Sequence, residues 1–330
     1  DHPGDSRFVL LETVRQFGTR MLAEAGEDTS LRERHARHFA TWARERSPLT
    51  ETAQQVEVVD ALDTDAPNVR AALAWHRTEV PADEFGQFVG ELGAYWDLGG
   101  HEAEADLWFT RALDGLPDRP SVLRARLLAL RAEARLGLGR FEECIDACDK
   151  ALAATDALSY DTAFWLQRHR GLALLHLGRL DEAAAQFRRL ITSSRRGVPW
   201  FVQVDAAEIA LRQGNPKEAW SLLAEAVAEP GDAAMRLRLF RLMADALNAL
   251  GRRDDAAVHA ALVRRICREQ GWNIPDVAVA TTALPGSCGL ADLDSASLIA
   301  RLSPDWTAAR AQGRPTQDGV VRSLLPNGHA

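Results

Sequence analysis

The feature that most constrains this chain is a phrase that recurs along its middle: a helical run, a glycine, two or three residues, an acidic residue, then a small one. It appears as Gly100-His101-Glu102-Ala103-Glu104-Ala105, as Gly139-Arg140-Phe141-Glu142-Glu143-Cys144 and as Gly178-Arg179-Leu180-Asp181-Glu182-Ala183. It returns as Gly214-Asn215-Pro216-Lys217-Glu218-Ala219 and Gly251-Arg252-Arg253-Asp254-Asp255-Ala256. Successive glycines stand 39, 39, 36 and 37 residues apart. Self-similarity at such a period marks stacked supersecondary units, none of which can bury its apolar face alone. Each part of the phrase has a physical role. The glycine ends a first helix in a left-handed cap, a conformation that strains any residue bearing a Cβ. The acidic residue falls in the first turn of a second helix, where the helix dipole favours negative charge. The small residue after it lets the second helix pack closely on the first, and Pro216 starts its helix where a missing N–H does no harm. The chain therefore reads as all-α, built of antiparallel helix pairs, with no sheet beyond a short ribbon before Leu10.

Composition narrows the class. Alanine, leucine, arginine and glutamate dominate and β-branched runs are scarce, which favours helix over sheet. With 46% hydrophobic and 26% charged residues the chain is built to fold, not to stay disordered. A net charge of −8 and a pI near 5.7 argue against direct contact with nucleic acid. Cys144, Cys148, Cys267 and Cys288 form no CxxC pair and suggest no disulfide framework, so a reducing cytoplasm is the expected compartment. No apolar run approaches the roughly 18 residues of a membrane span. The opening Asp1-His2-Pro3-Gly4-Asp5 has neither Met nor a signal peptide and reads as a cut inside a longer protein.

The repeat resembles the tetratricopeptide (TPR) family. Gly93, Trp96, Ala105, Phe109, Ala112 and Pro117 fall where that family has Gly, an aromatic, Ala, an aromatic, Ala and Pro. A later copy keeps Gly171, Ala183 and Phe187, and the others put Ala132, Ala207 and Ala244 at the close-packing position. The resemblance implies a right-handed superhelix of TPR-like helix-turn-helix repeats over residues 85–272. The departures are a missing first-helix Trp and copies longer than the family's period of about 34 residues, the excess being expected in loops or helices.

The flanks carry a second resemblance. Leu10, Leu11, Val14, Phe17, Met21 and Leu22 have helical spacing, and Ala25-Gly26-Glu27 stops that helix. A later helix opens at Asp65-Ala66-Pro67. Arg7 to Phe17, Arg34 to Phe39 and Asn68 to Trp75 resemble the region that follows the nucleotide-binding domain in STAND-class signalling ATPases, many of them LuxR-type or SARP-type bacterial transcriptional regulators. This resemblance implies that residues 1–45 are the end of a winged-helix-like segment with a connecting helix, followed by a helical connector at 46–84. Residues 273–291 read as a linker and 292–330 as a helical tail, where Trp306 to Leu324 is similar to an ending that precedes a helix-turn-helix in such regulators. The ATPase machinery does not carry over, because no GxxxxGK[ST] phosphate loop is present.

Candidate chemistry is sparse. His35 and His38 stand three apart on a helix but have no acidic or cysteine partner nearby, so a solvated face fits them better than a metal site. Cys144 and Cys148 occupy core positions of their repeat and read as buried thiols. No nucleophile–base constellation has supporting context. The expectation is a chain that is not an enzyme, with no catalytic residue, no metal and no cofactor. Trp96, Trp108, Trp200 and Trp220 read as packing residues.

A binding groove is the functional candidate. First helices of stacked TPR repeats line a concave face. Counting back from each glycine places Glu133, Trp165, Arg168, His176, Glu208, Leu211, Arg212, Arg241, Asp245 and Asn248 on it. This mixed set suits a protein partner or a small anionic or polar ligand. The ordinary alternative is solvated arginine and glutamate on exposed helices. Two functions follow. One is a non-catalytic sensor or interaction module of a signalling-ATPase transcriptional regulator, attached to its ATPase domain and touching neither nucleic acid nor membrane. The other is a stand-alone TPR scaffold that assembles proteins.

Overall fold

The computed structural model describes residues 11–52, 54–154, 159–193, 198–226 and 233–269. The proposed linker and C-terminal tail, Cys288 and the ribbon before Leu10 lie outside the described residues. Among these residues every regular element is helical, and successive helices pack pairwise. The chain divides into two compact units that meet between Leu166 and Gln167.

The first unit contains α1 (Glu12–Glu24), α2 (Asp28–Arg46), a 3-10 turn at Ser47–Glu51, α3 (Gln55–Thr64) and α4 (Ala66–Glu79). It continues with α5 (Ala82–Glu91), α6 (Gly93–Leu98), α7 (Glu102–Gly115), α8 (Val122–Gly137) and α9 (Phe141–Ala154). The unit boundary falls inside α10 (Tyr160–His176). The second unit continues through α11 (Leu180–Ser193), α12 (Trp200–Arg212), α13 (Pro216–Ala226), α14 (Ala233–Ala249) and α15 (Arg253–Glu269).

The five repeat glycines do what their position requires. Gly100, Gly139, Gly178, Gly214 and Gly251 all have φ between 68° and 78°, and Gly26 joins them at 70°. Each closes the same hydrogen-bond pattern. At Gly178 the backbone N–H donates to Leu175 O and the next N–H, of Arg179, donates back to Leu174 O. That pair of bonds satisfies two carbonyls the helix end would otherwise leave open. Gly26 shows that the device also precedes the five-copy phrase.

The repeat register is borne out by burial. Ala105, Cys144, Ala183, Ala219 and Ala256 are all buried, and so are Phe109, Cys148, Phe187, Leu223 and Ala260 four residues on. Opposite them sit the small first-helix positions. A Cβ placed on Gly171 would come within 2.6 Å of the Phe187 ring, and one on Gly93 within 2.8 Å of Leu130. Ala132, Ala207 and Ala244 fill the equivalent places with little or no exposure. Trp96, Trp108 and the two repeat cysteines lie in the core as expected, whereas Trp200 and Trp220 are partly buried against it. Full burial of each large apolar side chain in this layer is worth about 1.5–3 kcal/mol.

Two local features depart from a uniform array. The run before Gly100 is split at Leu92 into α5 and α6, where Leu92 N–H reaches only to Val89 O, a tightened turn. Gly86, Gly90 and Gly93 weaken this helix, while Gly93 lets it press against Leu130 of α8. The extra repeat length sits partly in the first helices: α8 has 16 residues and α10 and α14 have 17 each.

Helix α1 is amphipathic, as its spacing predicts, yet none of its residues is buried. Leu11, Val14, Phe17 and Met21 form an exposed apolar stripe. Among the described residues, no helix is long and apolar enough to cross a membrane.

Candidate functional site

In the second unit, three first helices bring a row of charges together. Arg168 on α10 donates from Nε to Asp205 Oδ2 on α12 at 2.7 Å, and its guanidinium lies 4.9 Å from the Phe201 ring centroid. Arg238 on α14 donates from Nη1 to the other Asp205 oxygen at 2.6 Å and from Nη2 to Glu208 Oε2 at 2.6 Å. Arg212 holds the second Glu208 oxygen at 2.8 Å and reaches back to the Leu175 carbonyl on α10 at 3.4 Å. The result is a ladder, Arg168–Asp205–Arg238–Glu208–Arg212, that laces α10, α12 and α14. Its inner rung is dry: the Asp205 side chain is 0% exposed and that of Arg168 13%. Planar guanidinium forks suit this work because one group can bind two carboxylates at once.

The charges tune one another. Burial opposes ionisation of Glu208, but the guanidinium groups of Arg238, Arg212 and Arg241 outweigh it and hold its carboxyl below the ordinary value. Asp245, half-buried on α14, makes no such ion pair among the described residues. Burial pushes its carboxyl up, and Arg241 offsets this only in part. The His176 imidazole is pushed below its ordinary value, first by desolvation and then by Arg212.

Of the ten groove residues, eight belong to this unit. Arg168, Glu208 and Arg212 are rungs of the ladder. Arg241 and Asp245 lie on α14, and the Arg241 charge favours the ionised Glu208 carboxylate while Glu208 disfavours that of Asp245. His176 and Asn248 lie at the exposed ends of α10 and α14, and Leu211 is partly buried. Glu133 and Trp165 belong to the first unit. Glu133 borders a small cavity, about 10 Å³, with Gly93, Asp97, Glu102, Phe109 and Leu130, and Trp165 is exposed on α10. Counting missed Asp205, Arg238 and Phe201. The last two stand 13 residues before their glycines, as Trp165 does, so the same rule reaches them.

The first unit has its own charge links. Asp106 on α7 accepts from Arg135 at 2.9 Å and Arg140 at 2.8 Å. Asp63 accepts from Tyr95 Oη at 2.8 Å and lies 2.9 Å from His101 Nε2. His35 contacts Asn68 Oδ1 at 3.3 Å, and both His35 and His38 pack against Phe39. Among the described residues, no three His, Cys, Asp or Glu side chains are grouped as metal ligands would be.

The ladder of ion pairs ties the three first helices to one another.

Neither a family model nor a solved structure matches this chain. It is 29% identical over 136 residues to proteins named "Putative HTH-type transcriptional regulator" in Mycobacterium bovis and in two strains of Mycobacterium tuberculosis. The match covers 40% of this chain, and the chain spans only 15% of the length of each relative.

Proposed function

We propose that this chain is the ligand- or partner-binding region of a larger transcriptional regulator, of the kind driven by a signalling ATPase, and that it is not itself catalytic. The observation that carries the reading is the charged face that α10, α12 and α14 share: three successive first helices present polar side chains in register, the arrangement a repeat module uses to read a partner. The partial similarity to large regulators supports the same reading, as do the flanking phrases at 7–17, 34–39 and 68–75. In this reading the helix pairs of the second unit wind as a TPR-like right-handed superhelix, and the groove takes a polar ligand or a protein. Coupling to transcription then requires that binding favour one of two arrangements of the regulator.

The gene tests it first. An open reading frame running upstream into a domain with a GxxxxGK[ST] loop, and carrying a helix-turn-helix, is the expected result. A frame confined to this chain would refute it and favour a stand-alone scaffold. In the longer protein, Arg241→Gln with Asn248→Ala should blunt the transcriptional response while leaving protein level and DNA binding intact. An unchanged response would remove the groove from the mechanism. The isolated chain should not hydrolyse ATP; turnover that survives repurification contradicts this.

A further inference from the structure

The same joint of the repeat occurs in two conditions. Asp205 and Arg238 stand nine and 13 residues before their glycines, Gly214 and Gly251. Across that step Arg238 Nη1 donates to Asp205 Oδ1 at 2.6 Å, and α12, which carries Asp205, runs unbroken from Trp200 to Arg212. Glu91 and Arg126 hold the same places before Gly100 and Gly139, so the repeat assigns them to one another. They are not paired. Arg126 Nη2 donates instead to the Gly90 carbonyl at 3.0 Å, and among the described residues Arg126 makes no ion pair. Glu91 accepts from Arg44 of α2 on Oε1 at 2.8 Å, while its Oε2 is buried without a hydrogen-bond partner. The helix breaks at this place: α5 ends at Glu91, Leu92 turns back to Val89 O, and α6 starts at Gly93. A buried carboxylate oxygen without a donor is costly. Here it belongs to the residue next to the carbonyl that holds its missing guanidinium.

We propose that the α5–α6 joint is a conformational switch with two states. In the observed state the helix is broken and Arg126 binds Gly90 O. In the other, Ala82–Leu98 is one helix and Arg126 pairs with Glu91 Oε2, as Arg238 pairs with Asp205. The exchange conserves partners. In a continuous helix Gly90 O accepts the Ala94 N–H, four residues on, so Arg126 can leave it and Glu91 gains the donor it lacks. The joined helix has 17 residues, the length of α10 and α14. Gly86 and Gly90 keep the broken form competitive, because each glycine weakens the continuous one. A Cβ on Gly90 would meet Arg126 Cζ and Nε at 3.7 Å, an ordinary contact, so the guanidinium already lies over the backbone it would cross. The switch also has leverage. On α6, Tyr95 Oη donates to Asp63 of α3 at 2.8 Å, and Arg44 ties Glu91 to α2, so straightening the joint shifts α3 against α2. A two-state element of this kind is what a bound partner can bias.

This inference goes beyond the binding-module reading and does not rest on it. The test is nuclear magnetic resonance of the Gly93–Tyr95 amides in the whole chain, with two states read as doubled peaks or by relaxation dispersion. The parent should show both. Gly90→Ala should raise the ratio of continuous to broken form about two- to fivefold, the worth of one such replacement inside a helix. Glu91→Gln should lower the ratio by a similar factor, about that of a partly exposed ion pair. In an Arg126→Met background, Glu91→Gln should leave the ratio unchanged. A single state at these amides in both the parent and Gly90→Ala overturns the proposal. So does a ratio that responds to Gly90→Ala but not to Glu91→Gln, since helix propensity alone then explains it. The parent spectrum decides whether two states exist even if a variant folds poorly.

Discussion

Replacing Asp205 by Ala removes the one carboxylate that two guanidinium groups share in a dry place. Its side chain is 0% exposed, and Arg168 and Arg238 bind its two oxygens at 2.7 and 2.6 Å. After the substitution Arg238 keeps Glu208, but the Arg168 Nε loses its acceptor beneath Phe201. Breaking a buried pair by deleting one partner costs about 3–5 kcal/mol, and the surviving Glu208 contact places this case at the lower end, near 3 kcal/mol. For a folding unit of about 150–250 residues, the class of the second unit, each kcal/mol moves the midpoint by about 2–4 °C, so its Tm should fall by about 6–12 °C. Circular dichroism at 222 nm during heating reads the loss, with urea titration as a second axis. Arg238→Ala alone should cost a comparable amount, and the double variant should cost clearly less than the sum, because the partners share one network. If Asp205→Ala lies within about 0.5 kcal/mol of the parent, or the two changes simply add, the ladder is not a stabilising unit. Arg168→Ala belongs to the same class: the sequence alone offers that arginine as a ligand contact, whereas its partner here makes it structural.

Other perturbations probe separate layers. Ala183→Asp introduces an unpaired charge at a position with 0% exposure and should cost several kcal/mol, about 3 or more, read as a Tm drop. Gly171→Ala should cost about 1–3 kcal/mol through its 2.6 Å approach to Phe187, and trimming that ring in Phe187→Leu should restore part of it. Gly178→Ala meets no neighbour within 4 Å, so its cost of about 1–2 kcal/mol comes only from the left-handed backbone, and Gly178→Asn should cost less. Glu208 gives a pH signature. Its folded carboxyl lies below the unfolded value of about 4.3, so its stabilisation is full above that pH and is lost as the pH falls further. Glu208→Gln should therefore flatten the acid limb of stability against pH, and an unchanged acid limb would show that the ion pairs contribute nothing there.

The pairwise helical fold was legible because its signals are local. A glycine cap, an acid in the next first turn and a small residue at close packing each depend on one helix or one turn, and they fall in register at every copy. Three things were not legible. The break at Leu92 falls in a run with Gly86, Gly90 and Gly93, where Leu130 of another helix lies against Gly93. Asp205 stands nine residues before its glycine, where the other copies have Glu91, Leu130, His169 and Leu242, so the repeat gives that position no single character; the arrival of Arg168 and Arg238 from both sides accounts for a buried charge there. The exposed stripe of α1 reads in sequence like any core-facing stripe, because periodicity reports that a face is apolar and not what covers it. Counting back from the glycines places eight of the groove residues in the second unit. It could not separate side chains that brace the helices from those left open, since that depends on pairing between residues more than 30 positions apart.

The uniform turn within each pair has a mechanical consequence. From α1–α2 through α6–α7, α8–α9, α10–α11, α12–α13 and α14–α15, three residues separate the paired helices, and each turn is closed by the same left-handed glycine. Each such joint is stiff and interchangeable, so a pair translates and rotates as one lever. Compliance is then left to the joints between pairs. In the second unit those joints are pinned by the salt bridges of Asp205 and Glu208, which act as springs of known position. A disturbance at the free end of α14 reaches α10 through two such springs in series, without any helix having to bend.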